Sequence, residues 1–129
     1  MNTEIEKEIA RFFQKRYRER LLYELTSKRR KDFFGKIAHT AENYIDIRLI
    51  EEKDDRLISS DVIANKLGKD CYVIAQLSSL DGKTVSVDSA LSELWGCGSP
   101  YLLYGNGYLY IETEYDFSVH TAYLLKLPG

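Results

Sequence analysis

Two histidines, two cysteines, ten tyrosines and twenty carboxylates bound the chemistry available to this chain. Acid–base or nucleophilic catalysis needs titratable groups set beside partners, most often around a histidine. His39 falls inside a helical pattern with no H-E-x-x-H companion, so a helix-surface or core-edge imidazole is expected. His120 opens a strand-like segment, and a pairing with Cys97 or Ser99 has no spacing to support it. Cys71 and Cys97 are too few for a disulfide framework and lack C-x-x-C, so both read as reduced, buried thiols. Glu112, Glu114 and Asp116 alternate as oxygen ligands would, but any solvent-facing strand alternates the same way, and no EF-hand loop surrounds them. Gly96-Cys97-Gly98 and Gly105-Asn106-Gly107 do not open a helix after a strand, as a phosphate cradle requires, and read as backbone punctuation. No catalytic set, metal site or cofactor is expected.

Binding chemistry is better represented. In YLLYGNGYLYIETEY, residues 101–115, two apolar runs flank Asn106-Gly107, whose easy access to positive φ suits a tight hairpin turn. A two-residue loop there sets Tyr104 opposite Leu109, Leu103 opposite Tyr110, Leu102 opposite Ile111 and Tyr101 opposite Glu112. Side chains alternate along a strand, so Leu102, Tyr104, Leu109 and Ile111 form a core face and Tyr101, Tyr108, Tyr110, Glu112 and Glu114 the other. With Asp116 beyond it, that second face is a row of phenols ending in carboxylates. Tyrosine is enriched at interface hot spots and acidic groups steer a basic partner, which makes these six residues the expected partner-binding set. The plainer alternatives are an ordinary outer sheet face or burial in a homodimer. A compact acidic domain of this kind would suit an inhibitor or immunity protein that blocks a basic enzyme, an analogy from size and charge.

The second binding candidate is cationic. From Arg11 to Lys36 there are ten Lys and Arg against three acids, whereas residues 37–129 hold seven against fourteen, so a net charge of −2 conceals a dipole. Arg16, Arg20, Lys28, Arg29, Arg30 and Lys31 could neutralise phosphates, which makes a nucleic-acid-associated protein the alternative function. Their spread over several helix faces favours instead a solvated helix or a seat for the protein's own acidic half. A small enzyme with its site near residues 95–100 ranks third.

These groups are carried by elements of two kinds. One long helix capped by Thr3 is expected from residue 3 to about 29, with Glu4, Glu6 and Glu8 near its start and Lys28, Arg29, Arg30 and Lys31 near its end, in agreement with the macrodipole. Its apolar positions Ile5, Ile9, Phe13, Tyr17, Leu21 and Leu25 step by four, and each step overshoots a turn by about 40°, so the stripe rotates by roughly 200° and no straight neighbour can cover it. A second helix is expected from Asp32 to about Arg48, then a solvated loop over EEKDDR, residues 51–56, and a short helix capped by Ser60 or Asp61 and closed at Gly68. From Cys71 the pattern turns to strands, with Asp81-Gly82 as a second hairpin signal, a helical turn or two after Asp88 or Ser89 ending at Gly96, and a closing strand from His120 to Leu127. The sum is a single α+β domain, residues 1–129, helical to about 68 and sheet from about 71 to 128. The two N-terminal helices should pack on one face of an antiparallel sheet of about five strands built from two hairpins. With 44% hydrophobic and 29% charged residues, neither disorder nor a fibrous class is indicated. No run of about 18 apolar residues marks a membrane span and the charged start does not resemble a secretory signal, so a cytoplasmic protein is expected.

Overall fold

The computed structural model describes residues 2–115 and 120–128. Six antiparallel strands form one sheet: β1 (Ile50–Asp54), β2 (Asp70–Ala75), β3 (Thr84–Ser86), β4 (Tyr101–Gly105), β5 (Tyr108–Glu112) and β6 (Ala122–Lys126), in the spatial order β1-β6-β5-β4-β2-β3. With helices α1 (Thr3–Ala10), α2 (Lys15–Thr26), α3 (Arg30–Thr40), α4 (Ser60–Leu67) and α5 (Val87–Leu94), the architecture is α+β. The strand count is six rather than five. The extra one is β1, in the charged segment read as a loop. It lies at the sheet's edge with residues 51–54 exposed, so it shows no apolar alternation, and its charges and the register shift between Ile50 and Glu52 are the usual means of blunting an edge.

The long N-terminal helix is two helices. The chain breaks after Ala10, and its rotating stripe explains why: Phe12 and Phe13 turn into the core at the corner, and Phe13 forms an isolated bridge with Ile45. Asn2, rather than Thr3, caps α1, its side chain accepting from the Ile5 N–H at 3.2 Å. The second helix ends at Thr40 rather than near Arg48. Two 3-10 turns, Ala41–Asn43 and Ile47–Leu49, follow, and the chain between them extends to meet Phe13. Ile9, Phe12, Phe13, Leu21, Leu25, Phe33 and Ile37 then bury against Tyr72, Ile74, Leu102, Leu109, Ile111, Tyr123 and Leu125 of the sheet. Each such side chain contributes about 1.5–3 kcal/mol of transfer free energy.

The Asn106-Gly107 hairpin has the expected register, Tyr101 to Glu112 through Tyr104 to Leu109. The Asp81-Gly82 reversal is wider than a two-residue turn. β2 leaves the sheet at Ala75, and the chain returns by way of a loop in which Leu77 has φ +64° and the Gly82 N–H donates to Val73 O. Asp81 turns inward there, accepting from the Ala75 N–H at 3.0 Å.

α4 and α5 cover the opposite sheet face. Ile63, Leu67, Val87, Ala90 and Leu94 pack there with Val73, Leu103, Tyr110 and Leu124. Runs such as YLLY, YLYI and AYLL are apolar at successive positions, the pattern of strands buried on both faces rather than one. Packing is close enough that Gly105 is obligatory: a Cβ there would lie 2.8 Å from the Asp70 carbonyl oxygen. Among the described residues no helix is long and apolar enough to cross a membrane.

Candidate functional site

The phenolic row is interior, which corrects its assignment as a docking surface. Tyr101, Tyr110 and Glu112 are 0% exposed, and Tyr108 is buried with Lys66 and Lys126 ammonium groups over its ring at 5.7 and 5.6 Å. The physical reason is the second helical layer, which leaves neither sheet face open. Glu114 alone of the set is open, half-exposed with its Oε2 3.1 Å from His39 Nε2. Asp116 lies outside the described residues.

What the row builds is a buried knot at the end of β5. The Glu112 carboxylate accepts from the Tyr101 hydroxyl, from the Tyr110 hydroxyl at 2.9 Å and from the Gly96 N–H at 3.1 and 3.2 Å. His120 Nε2 stands 3.3 Å from its Oε1, buried and without a hydrogen-bond partner. Burial pushes the Glu112 carboxyl above its ordinary range, against the opposing pull of Tyr101, Gly96, Tyr110 and His120. Burial also drives both phenols far above the ordinary tyrosine range, with the neighbouring carboxylate adding to it. These hydroxyls therefore serve as fixed donors. Their acceptor ties β4, β5 and the turn after α5 into one unit.

The loop considered for an enzyme site, residues 95–100, touches this knot through the Gly96 N–H. Cys97 is exposed rather than buried, its Sγ 3.6 Å from the Ser99 carbonyl oxygen, and desolvation with the nearby Glu112 charge raises its thiol. A nucleophilic cysteine needs the opposite shift. Cys71, buried, is pushed up to about 12 by burial. No cluster of three or more His, Cys, Asp or Glu with metal-ligand geometry occurs among the described residues.

The cationic set is divided by the fold. Arg30 is nearly buried, its guanidinium donating to Glu6 at 3.3 Å, to the Leu25 carbonyl at 2.7 Å and to Asp81 at 2.6 Å. Arg20 pairs with the buried Glu24, which also takes Lys36, and Arg29 pairs with Asp32 at 3.0 Å. Arg16 lies over the Tyr17 ring at 4.8 Å, and Lys28 and Lys31 are exposed. Half of the set is therefore spent on internal pairing, and what remains is not one contiguous surface.

The open surface is elsewhere, at the sheet end where β2 and β5 finish and β4 and β6 begin. Leu77 projects there 100% exposed from a left-handed backbone position. A leucine at positive φ costs of the order of 1 kcal/mol, and full exposure of the side chain returns nothing within the monomer. Hollows of about 240 and 300 Å³ flank it, sharing Gln76, Leu77, Ser99 and Pro100. Another of about 420 Å³ between α3 and β5 adjoins through Ala38, His39 and Glu114. Trp95 is partly exposed, its indole N–H donating to the Ile58 carbonyl at 2.9 Å, and Tyr115 is 60% exposed, its N–H bonded to Gly98 O at 2.9 Å. Glu93 and Glu114 line these hollows together with Lys31, and Asp54 stands at the same end of the sheet on its far edge strand, opposite Ala122 of β6. Sequence reading missed Leu77 because it sits in an apolar run, CYVIAQLSSL, that reads as strand throughout. Only the early departure of β2 exposes it.

No family model, curated protein or solved structure matches this chain.

Proposed function

We propose that the chain acts by binding another protein, and that the docking surface is the loop end of the sheet around Leu77, with Trp95 and Tyr115 as further apolar contacts. The observation that carries this reading is Leu77 itself, a large apolar side chain wholly in water on a backbone conformation that leucine disfavours. A partner that covers it recovers the transfer free energy of a buried leucine, about 1.5–3 kcal/mol, which the monomer forgoes. The carboxylates of Glu93 and Glu114 beside Leu77, with Lys31 the cation lining the same hollow, favour a partner with a basic face, as an inhibitor or immunity-type protein would meet. Glu112 supports the surface from below by holding Gly96, so the loop between α5 and β4 is presented already ordered.

The test is capture of a discrete partner by the tagged chain, compared with Leu77→Asp and with Lys69→Ser, an exposed residue just before β2 at the other end of the sheet. Loss of capture with the first and retention with the second supports the reading. Capture indifferent to Leu77→Asp, with both variants folded by circular dichroism, refutes it. If the partner is a second copy, sedimentation shows a dimer that Leu77→Asp dissociates.

A further inference from the structure

At the opposite end of the sheet, a hollow of about 720 Å³ opens where α1 turns into α2 and meets the 3-10 turn before β1. A neighbouring hollow of about 380 Å³ extends it to Leu127 and Pro128, which lie beside the Asn106-Gly107 turn because the Leu127 N–H donates to Gly107 O. The cations on these walls come from separate parts of the chain: Lys15, Arg16 and Arg18 from α2, Arg11 from the corner and Arg48 from the 3-10 turn. Arg11 is paired with Glu8 and Arg48 with Asp46, at 3.1 and 2.8 Å. Lys15 and Arg16 form no ion pair among the described residues, Arg18 stands close enough to Asp46 for its charge to act on that carboxyl, and the first turn of α2 contains no acid.

Several of these groups are held in place rather than swinging in solvent. Arg18 donates to the Phe13 carbonyl at 3.0 Å and the Arg11 carbonyl at 3.2 Å. Arg48 is clamped by both carboxylate oxygens of Asp46, at 2.9 and 2.8 Å, with most of its guanidinium still open to solvent. Arg16 rests on the Tyr17 ring. Cations already ordered lose little freedom on meeting an anion, which favours binding over mere solvation. In the same hollow Ile47 is 60% exposed.

We infer that this hollow binds an acidic peptide segment carrying an aliphatic side chain, its carboxylates meeting Lys15, Arg16 and Arg18 and its apolar residue meeting Ile47. A single-stranded nucleic acid would also satisfy the charge, but its bases require exposed rings to stack on. The hollow offers none: the Tyr17 ring is covered by Arg16 and packs edge-on against Tyr44 at 4.9 Å, and the open apolar group is aliphatic. The inference is independent of the proposed Leu77 surface, which lies at the other end of the strands.

The experiment uses the full chain and fluorescence anisotropy of a labelled peptide of Glu, Asp and Gly around a central Leu. Its controls are the same peptide with Gln and Asn replacing the acids, and a labelled oligothymidylate. Binding of the acidic peptide that weakens as salt is raised, with no binding of the amide copy, is the expected result. Lys15→Ala with Arg16→Ala should weaken it about tenfold, Ile47→Ser severalfold, and Leu77→Asp not at all. Both Lys15 and Arg16 are exposed, so the variants should keep the wild-type melting temperature. Absence of binding at low salt overturns the inference. So does binding unchanged by Lys15→Ala with Arg16→Ala, or tighter binding of the oligothymidylate that ignores Ile47→Ser.

Discussion

Glu112 offers the sharpest test of how this fold is held together. Replacing it by alanine strands two buried donors, the Tyr101 and Tyr110 hydroxyls, and frees the partly buried Gly96 N–H. An unsatisfied buried donor costs about 1–3 kcal/mol, so the two stranded hydroxyls place Glu112→Ala at about 2–6 kcal/mol. Against a stability of about 5–15 kcal/mol for a whole domain, this is a shift in melting temperature of roughly 10–20 °C. Glu112→Gln keeps an acceptor for both phenols and places an amide N–H₂ toward His120 Nε2, so it should lose far less. Its pH dependence carries the sign. Burial holds the Glu112 carboxyl above its ordinary range in the folded state. The protonated form is thus the one folding favours, and the stability it contributes is complete below the unfolded pKa and lost as pH rises through the folded one. Measured by urea denaturation from pH 4 upward, on the scale where one pKa unit is about 1.4 kcal/mol, wild type should lose ground to Glu112→Gln. Wild type gaining on the glutamine variant over that range would refute the reasoning, as would a Glu112→Ala cost below about 1 kcal/mol.

Other substitutions probe separate parts of the structure. Leu77→Asn should raise stability by about 0.5–1 kcal/mol in urea titrations, because asparagine tolerates the left-handed region, while abolishing partner capture, a trade of stability against function. Arg30→Ala leaves the buried Glu6, among the described residues, with only the Tyr72 hydroxyl at 2.8 Å and should cost about 3–5 kcal/mol, whereas Arg29→Ala, at an exposed pair, should cost less than about 1 kcal/mol. Glycines should respond with opposite signs: Gly105→Ala destabilises by about 1–3 kcal/mol through its collision with the Asp70 carbonyl, and Gly35→Ala, in α3 with nothing within 4 Å of its Cβ, stabilises by up to about 1 kcal/mol, both read by thermal melts.

Local signals in the sequence were enough for the α+β class, for the short helices around residues 60–67 and 87–94, for the left-handed glycines that close them, and for the register of the Tyr-rich hairpin. Asn106-Gly107 dictates that register through backbone conformation alone, and Gly68 acts within a few residues of itself, whereas the helix caps are Ser59 and Ser86 rather than Ser60 or Asp61 and Asp88 or Ser89. The Glu112 site was half legible. Pairing Tyr101 with Glu112 followed from the turn, but whether that face looked outward depended on where α4 and α5 would lie. The two-sided apolar runs YLLY and YLYI carry the answer, because a strand covered on both faces is apolar at successive positions rather than at alternate ones.

Amino-acid order by itself determined which residues neighbour one another along a strand or a helical turn, because period and turn chemistry are short-range. Tertiary structure decided which side of the sheet is inside, where the first helix breaks, and that EEKD pairs with β6 as an edge. Those outcomes turn on which distant segment is available to cover an apolar surface. Arg30 reaching Glu6 and Asp81, and Leu77 left with nothing over it, have no signature shorter than the whole fold.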